Sequence, residues 1–227
     1  MPKIAVIGLG RFGMELSRQL SASGVEVIAI DRNKQLVDEL KDDVDVAVKL
    51  DSTDEAALKS QDVDNVDVCV VAVGEDFEAA LLTTVIVKQL GVPRIICRAQ
   101  TRFHADIFRQ IGADEVIQPE TQTGKYLARK LANPQIEDFI ALAKGYTLIE
   151  LKAPKAFQGK TLQDLALRGH YNVNLVAIKR VSTTEDDGET IEEVEVIGVP
   201  KAADLIQEND TLVLVGSDEA LARLPKE

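Results

Sequence analysis

Residues 4–13, Ile-Ala-Val-Ile-Gly-Leu-Gly-Arg-Phe-Gly, carry an apolar run straight into a G-x-G-x-x-G turn. The next apolar run, Val25-Glu26-Val27-Ile28-Ala29-Ile30, closes on Asp31. Strand, glycine turn, amphipathic helix (Met14, Leu16, Leu20), second strand and terminal acid in that order predict a mononucleotide-binding βαβ unit. Each glycine has its own task. Gly8 permits the tight strand-to-helix turn, Gly10 lets the backbone approach a pyrophosphate, and Gly13 lets the helix pack against the strand. Phosphates then face the unpaired N–H groups and positive dipole end of the helix. Asp31 is placed to accept hydrogen bonds from ribose hydroxyls and to repel a 2′-phosphate, so the ligand to expect is an adenosine nucleotide. Arg11 departs from the dehydrogenase habit: a long cation between the second and third glycines suits polyphosphate recognition, shared between subunits, better than it suits a nicotinamide.

The alternation continues. Strands are predicted near 3–7, 26–30, 46–50, 67–73, 94–98 and 115–117, and helices near 12–23, 33–41, 54–60, 77–90, 102–111 and 121–132. Gly24, Gly91 and Gly112 stand where helix C-caps belong, and Pro93 follows the second of these. Six βα steps make an α/β doubly wound parallel sheet, a Rossmann domain over 1–132. From Asn133-Pro134 the pattern changes. The spacing of Ile136, Phe139, Ile140 and Leu142 predicts a short connecting helix within 133–144. A small α+β domain is expected over 145–227, with strands at 146–151, 174–179, 193–197 and 211–215. Thr161 is expected to cap a helix running through Leu165 and Leu167, and Thr183-Thr184-Glu185-Asp186-Asp187-Gly188 to form a solvated acidic hairpin turn.

At 227 residues the chain is long enough for two domains with their own cores. The net charge of −12 argues against a nucleic-acid interface, which needs a basic face. No apolar stretch reaches the length of a membrane span, and nothing resembling a signal peptide precedes the first strand, so a cytoplasmic chain is expected. Cys69 and Cys97 lie inside apolar strand-like runs and read as core thiols. His104 and His170 lack an apparent partner for catalysis and read as packing or surface residues. An oxidoreductase would need a proton donor beside a nicotinamide, and the second domain offers little of that kind.

Taken together, Gly-Leu-Gly-Arg11-Phe-Gly, Asp31, Ala72-Val73-Gly74, Arg98, Ile111-Gly112-Ala113-Asp114 and Pro119-Glu120 resemble the RCK (regulator of potassium conductance) family. The nearest resemblance is to the KtrA- and TrkA-type cytosolic subunits of bacterial potassium-uptake systems. It covers the whole chain, since Gly159-Lys160-Thr161-Leu162 and Asp210-Thr211-Leu212-Val213-Leu214-Val215-Gly216 are similar to the family's C-terminal lobe. The resemblance implies a non-enzymatic gating subunit. It would form a homo-octameric ring, a tetramer of dimers, beneath a membrane-embedded potassium-translocating subunit of KtrB/TrkH type, with ATP and ADP holding the ring in different shapes. By the same analogy Arg11 reaches the γ-phosphate of a neighbouring subunit's nucleotide, and Glu120 helps bind Mg2+, Ca2+ or Na+ at the phosphates. Gly8, Gly10, Phe12, Gly13 and Gly74 shape the site. Asp31 holds the ribose, Arg32 belongs to the nucleotide site, Asp51 and Ser52 border the adenine, and Arg98 lies near the phosphates or ribose. In some relatives the C-terminal lobe binds cyclic di-AMP across a dimer interface; Arg168 and Asn174 resemble that pocket's polar contacts, with Leu167 and Ile178 as apolar walls. The alternatives are a TrkA-like sensor of NAD or NADH, an NAD-dependent oxidoreductase, and a nucleotide-sensing module of another channel or antiporter. The single copy of the two-lobe unit favours the KtrA-like reading.

Overall fold

The structure, a computed structural model, describes residues 2–186 and 189–225. The chain divides into two compact units, residues 1–124 and 125–227. In the first, strands β1 (Lys3–Ile7), β2 (Glu26–Asp31), β3 (Val46–Lys49), β4 (Val68–Val71), β5 (Arg94–Arg98) and β6 (Glu115–Ile117) alternate with helices α1 (Arg11–Ala22), α2 (Lys34–Leu40), α3 (Glu55–Ser60), α4 (Phe77–Gln89) and α5 (Arg102–Ile111). All strand pairs are parallel, in the order β3-β2-β1-β4-β5-β6. That order reverses direction between β1 and β4, the place where doubly wound sheets bind ligands.

Strand periodicity divides the core in two. Ala5 and Ile7 of β1 point to one face, where they pack with Leu58, Ala80, Val87, Ala105 and Phe108 of α3, α4 and α5. Val6 points to the other, with Met14, Val37 and Leu40 of α1 and α2. Successive residues of a strand face opposite sides, so a sheet covered on both faces must be apolar at nearly every position, as β1, β2 and β4 are. Asn33, Asp54, Asp76 and Thr101 cap α2, α3, α4 and α5, each side chain accepting a backbone N–H of the first turn. Gly112 closes α5 at φ +102°, the left-handed cap conformation.

Helix α6 spans Pro119–Ala132, and the division between the units falls inside it. Its second half belongs with the second unit because of its side chains. The Tyr126 hydroxyl donates to Asp138 at 2.9 Å, and Arg129 lies 4.4 Å from the centre of the Phe139 ring while donating to Thr147 at 3.2 Å and Asp218 at 3.4 Å. The boundary expected at 132 therefore sits earlier in the chain.

The second unit is a five-stranded antiparallel sheet, order β10-β9-β11-β8-β7, built from β7 (Ile136–Ala143), β8 (Tyr146–Lys152), β9 (Asn174–Asp186), β10 (Glu189–Ile197) and β11 (Asp210–Ser217). Short helices α7 (Leu162–Leu165), α8 (Leu167–Tyr171) and α9 (Asp218–Leu221) accompany it, around a core that includes Phe157, Leu165, Leu167, Val173, Ile178, Ile206, Leu212 and Leu214. Three expectations need correction.

The connecting helix predicted within 133–144 is strand β7. Its pairing with β8 slips between Ile136 and Asp138 and again between Ala141 and Ala143. Each bulge inserts a residue and breaks the period of two, so Ile136, Phe139 and Ile140 acquire helix-like spacing while lying in a hairpin closed at Gly145.

The helix expected from Thr161 through Leu167 breaks at Ala166, which adopts φ +43° and ψ +47°. Leu165 and Leu167, two residues apart, cannot share one face of a continuous helix. The left-handed break lets both reach the core, where they are 5% and 6% exposed. The third difference is length: β9 and β10 extend through residues expected in the acidic turn, pairing Asp186 with Glu189. Asp187 and Gly188 of that turn lie outside the described residues.

Candidate functional site

Where β1 ends, the chain turns at Gly8 with φ +99°. The Gly8 N–H donates to the Ile30 carbonyl at 2.8 Å, and the Leu9 N–H donates to the Asp31 carboxylate at 2.6 Å. The glycine turn is thereby tied to the end of β2. A side chain at Gly8 would meet the Val73 nitrogen at 2.6 Å, and one at Gly13 the Gly8 carbonyl oxygen at 1.9 Å, so at both positions even alanine would force the backbone apart. Gly10, the N-cap of α1, is different: nothing lies within 4 Å of the place a Cβ would occupy. The open side of Gly10 faces a cavity of about 620 Å3, within the range of small-molecule sites.

This cavity lies over the carboxyl ends of the strands at the β1/β4 switch point. It is lined by Gly8, Gly10, Arg11, Asp31, Arg32, Asp51, Ser52, Gly74, Arg98 and Glu120, all named from the sequence. Phe12 and Gly13 do not line it; they help seat α1 against the sheet. Sequence reasoning missed Asn33, Glu75, Asp76 and Gln100 in the lining. Asn33 and Asp76 carried a usable signal, since each is a polar N-cap on the loop that leaves the carboxyl end of a strand, where side chains surround the crevice.

Several lining groups are already engaged. Asp31 accepts from Leu9 and, through its other oxygen, from the Asn33 N–H at 2.7 Å; a carboxylate has lone pairs left for a ribose hydroxyl. Asp51 accepts both the Thr53 hydroxyl at 2.7 Å and the Thr53 N–H at 2.9 Å, and these bonds, the hydroxyl's first, hold its carboxyl below the usual range. The Ser52 hydroxyl is 2.8 Å from that of Thr83. Arg32 pairs with Asp76 at 3.3 Å.

Arg98, at the end of β5, pairs through Nη2 with Glu120 in the first turn of α6. Its Nε is buried without a hydrogen-bond partner, an arrangement proteins rarely leave unsatisfied. Glu120's own backbone N–H, and then the Arg98 guanidinium, hold its carboxyl below the usual glutamate range; the helix N-terminus acts in the same direction. Arg11 opens α1, is exposed, and has no ion pair among the described residues. The lining thus offers guanidinium forks, backbone N–H groups, carboxylates, a hydroxyl and amides, a donor and acceptor set that fits a nucleotide, with the orphaned Arg98 Nε as a donor that a ligand oxygen would satisfy. For a cation the chain supplies less. Among the described residues no three His, Cys, Asp or Glu side chains converge, and Glu120 is engaged by Arg98.

The remaining sequence candidates lie elsewhere. Arg168 on α8 and Asn174 at the start of β9 are exposed and line neither this cavity nor a smaller one of about 130 Å3 in the second unit. Leu167 and Ile178, expected to wall a second pocket, are instead core residues; both point into the apolar interior, where no ligand surface is left. His104 stacks on Phe77 with ring centroids 3.9 Å apart, and His170 Nδ1 lies 3.1 Å from the Leu165 carbonyl oxygen. Cys69 and Cys97 are buried free thiols; burial raises both, Cys97 to about 11. No helix among the described residues is long and apolar enough to cross a membrane.

Residues 4–119 match the TrkA-N domain family and residues 146–227 the TrkA-C domain family. The Ktr system potassium uptake protein C of Bacillus subtilis is 38% identical over 224 residues, spanning 99% of this chain and 96% of that protein. The Ktr system potassium uptake protein A of Vibrio alginolyticus is 33% identical over 220 residues, 97% of this chain and 94% of that protein. Among solved structures, the GsuK channel matches with a TM-score of 0.66 at 18% identity, over 97% of this chain and 38% of that one, a likeness of fold. Strand order, glycine turn and near full-length identity to potassium uptake proteins agree: this chain belongs to the RCK family, in its KtrA- and TrkA-type branch.

Proposed function

We propose that the chain is a nucleotide-sensing, non-enzymatic gating subunit of a potassium uptake system, one that binds ATP and ADP in the cavity at the β1/β4 switch point. The observation that carries this reading is the cavity itself. Ten residues expected from the glycine motif and the family resemblance line one space of nucleotide size, with Arg98 Nε unpartnered beside it. Gly10 and the start of α1 receive the phosphates, Asp31 the ribose, and Asp51 and Ser52 border the base. Arg11, exposed and without an ion pair among the described residues, reaches toward the γ-phosphate of a nucleotide in a neighbouring subunit. A sensor works by binding one conformation better than another; here the extra charge of ATP over ADP is what Arg11 discriminates. The ring is a homo-octamer, a tetramer of dimers, on the cytoplasmic side of a membrane-embedded translocating subunit.

The lining carries three guanidinium groups and five carboxylates, Asp31, Asp51, Glu75, Asp76 and Glu120. Polyphosphate against such an excess of carboxylate calls for a cation, and Glu120 is the ligand proposed for Mg2+, Ca2+ or Na+, with phosphate oxygens and the neighbouring subunit completing the set. A second reading, a sensor of NAD or NADH, is favoured by a GsuK channel structure described as bound to NAD; another, described as bound to ADP, favours the first reading, and Asp31 suits both.

Calorimetric titration with ATP, ADP, NAD and NADH, each with and without magnesium or calcium, separates the two. Tight ATP and ADP binding with cation linkage, and loss of the ATP-versus-ADP difference in Arg11→Ala, is the expected outcome. Preference for NADH without cation linkage moves the assignment to the second reading. Cyclic di-AMP, titrated against the wild type and Arg168→Ala, tests a second ligand in the C-terminal unit, and mass measurement in solution tests the octamer.

A further inference from the structure

We propose that Arg98 and Glu120 form a latch on the nucleotide pocket, with Glu120 holding the Arg98 guanidinium until a polyphosphate displaces it. The proposal rests on the nucleotide reading above. Arg98 side chain is 16% exposed and Glu120 is 63% exposed, so the cation is fixed in the cavity wall while the anion is free to swing outward. The contact is one-pronged. Nη2 donates to Glu120, whereas Nε, on the same edge of the guanidinium, has no partner. That edge is a two-donor fork suited to a tetrahedral oxyanion. A phosphate taking both donors satisfies the orphaned Nε, which Glu120 does not, so the exchange is favoured by the geometry already present.

The surrounding charges make Arg98 a cation that an incoming phosphate needs. Arg32 is occupied by Asp76, and Asp31, Asp51 and Glu75 add negative charge around the cavity. Once released, Glu120 is free to take up the cation proposed above at those phosphates. It is the second residue of α6, the helix that continues past residue 124 into the second unit. Ligand arrival is thereby converted into a change at the start of that helix, and without a ligand Glu120 lowers the affinity of the pocket by competing for Arg98.

The test is calorimetric titration of ADP and ATP in excess EDTA, using the wild type, Glu120→Gln and Glu120→Asp. Aspartate keeps the charge but is shorter by one methylene, about 1.5 Å, and loses the contact with Arg98. The latch predicts that both variants bind roughly threefold more tightly than wild type, the scale of a partly exposed ion pair, with the glutamine variant gaining more for ATP than for ADP. Tightening in Glu120→Gln with wild-type affinity in Glu120→Asp would show simple charge repulsion and overturn the latch. Wild-type or weaker affinity in both would also overturn it. Failure of every protein, wild type included, to bind either nucleotide both in EDTA and with magnesium or calcium restored would overturn the nucleotide reading itself, whereas binding only with the cation present would overturn the latch alone.

Discussion

A methyl group added at Gly13 meets the Gly8 carbonyl oxygen at 1.9 Å, where real Cβ contacts essentially never fall below 3.0 Å. Helix α1 must retreat from β1 by roughly 1 Å, and overpacking of this kind costs about 3 kcal/mol. Replacing glycine by alanine inside a helix returns about 1 kcal/mol, leaving a net loss of about 2 kcal/mol. For a unit of residues 1–124, with an unfolding entropy of about 2.1 cal/mol/K per residue, that lowers the melting temperature by about 8 °C. Gly10→Ala is the counterpart. Gly10 sits at φ −63° and ψ −176°, open to alanine, with nothing within 4 Å of the added carbon. Its stability should fall by no more than about 1 kcal/mol, the preference of an N-cap for glycine over alanine, while its methyl group occupies the approach of the pyrophosphate and weakens ATP binding at least about tenfold. Thermal unfolding and calorimetric titration of both variants read the two effects separately. A Gly13→Ala protein that melts with the wild type, or a Gly10→Ala protein that binds ATP as tightly, would refute this division of labour within the turn.

Asp210 in the second unit is 1% exposed and accepts Arg180 through two bonds of 2.8 and 2.9 Å, plus the Gln207 N–H at 2.7 Å. Asp210→Ala strands the guanidinium and should cost about 3 kcal/mol, measured by denaturant unfolding. Cys69 and Cys97, buried and with raised thiol pKa values, should resist a thiol reagent at pH 8 in the native protein and titrate as two groups after denaturation. Glu120 is held below its ordinary value of 4.5, so its share of stability is complete above that value and disappears as pH falls through the depressed one. The melting-temperature difference between wild type and Glu120→Gln should therefore be constant from pH 8 to about pH 5 and shrink below about pH 4.5; a difference that grows on acidification would reverse the sign of the argument.

The Rossmann unit was legible because its determinants are local. Glycines with steric tasks, polar N-caps and apolar strands of fixed length each act within a few residues, and the helices and strands fall close to where spacing put them. The second unit was harder because its strands are paired over long range and its period is interrupted. The slips at Ile136/Asp138 and Ala141/Ala143 gave β7 a helical signature, and Ala166 took a conformation that alanine seldom adopts. In the site, the residues were readable but their partnerships were not. Nothing in the sequence ties the Leu9 N–H to Asp31, or Arg98 to Glu120, since such contacts depend on which strand ends the fold sets side by side.

The two bulges of β7 matter for solubility as well as for prediction. β7 and β10 are the two outer strands of an open antiparallel sheet, and an unpaired outer strand is a template onto which another chain can add. On one side the slipped register denies an incoming strand a continuous ladder. On the other, the exposed Glu195 sets a charge along the β10 margin. A chain guarded at both margins can associate through chosen surfaces into a finite particle without polymerising through its sheet.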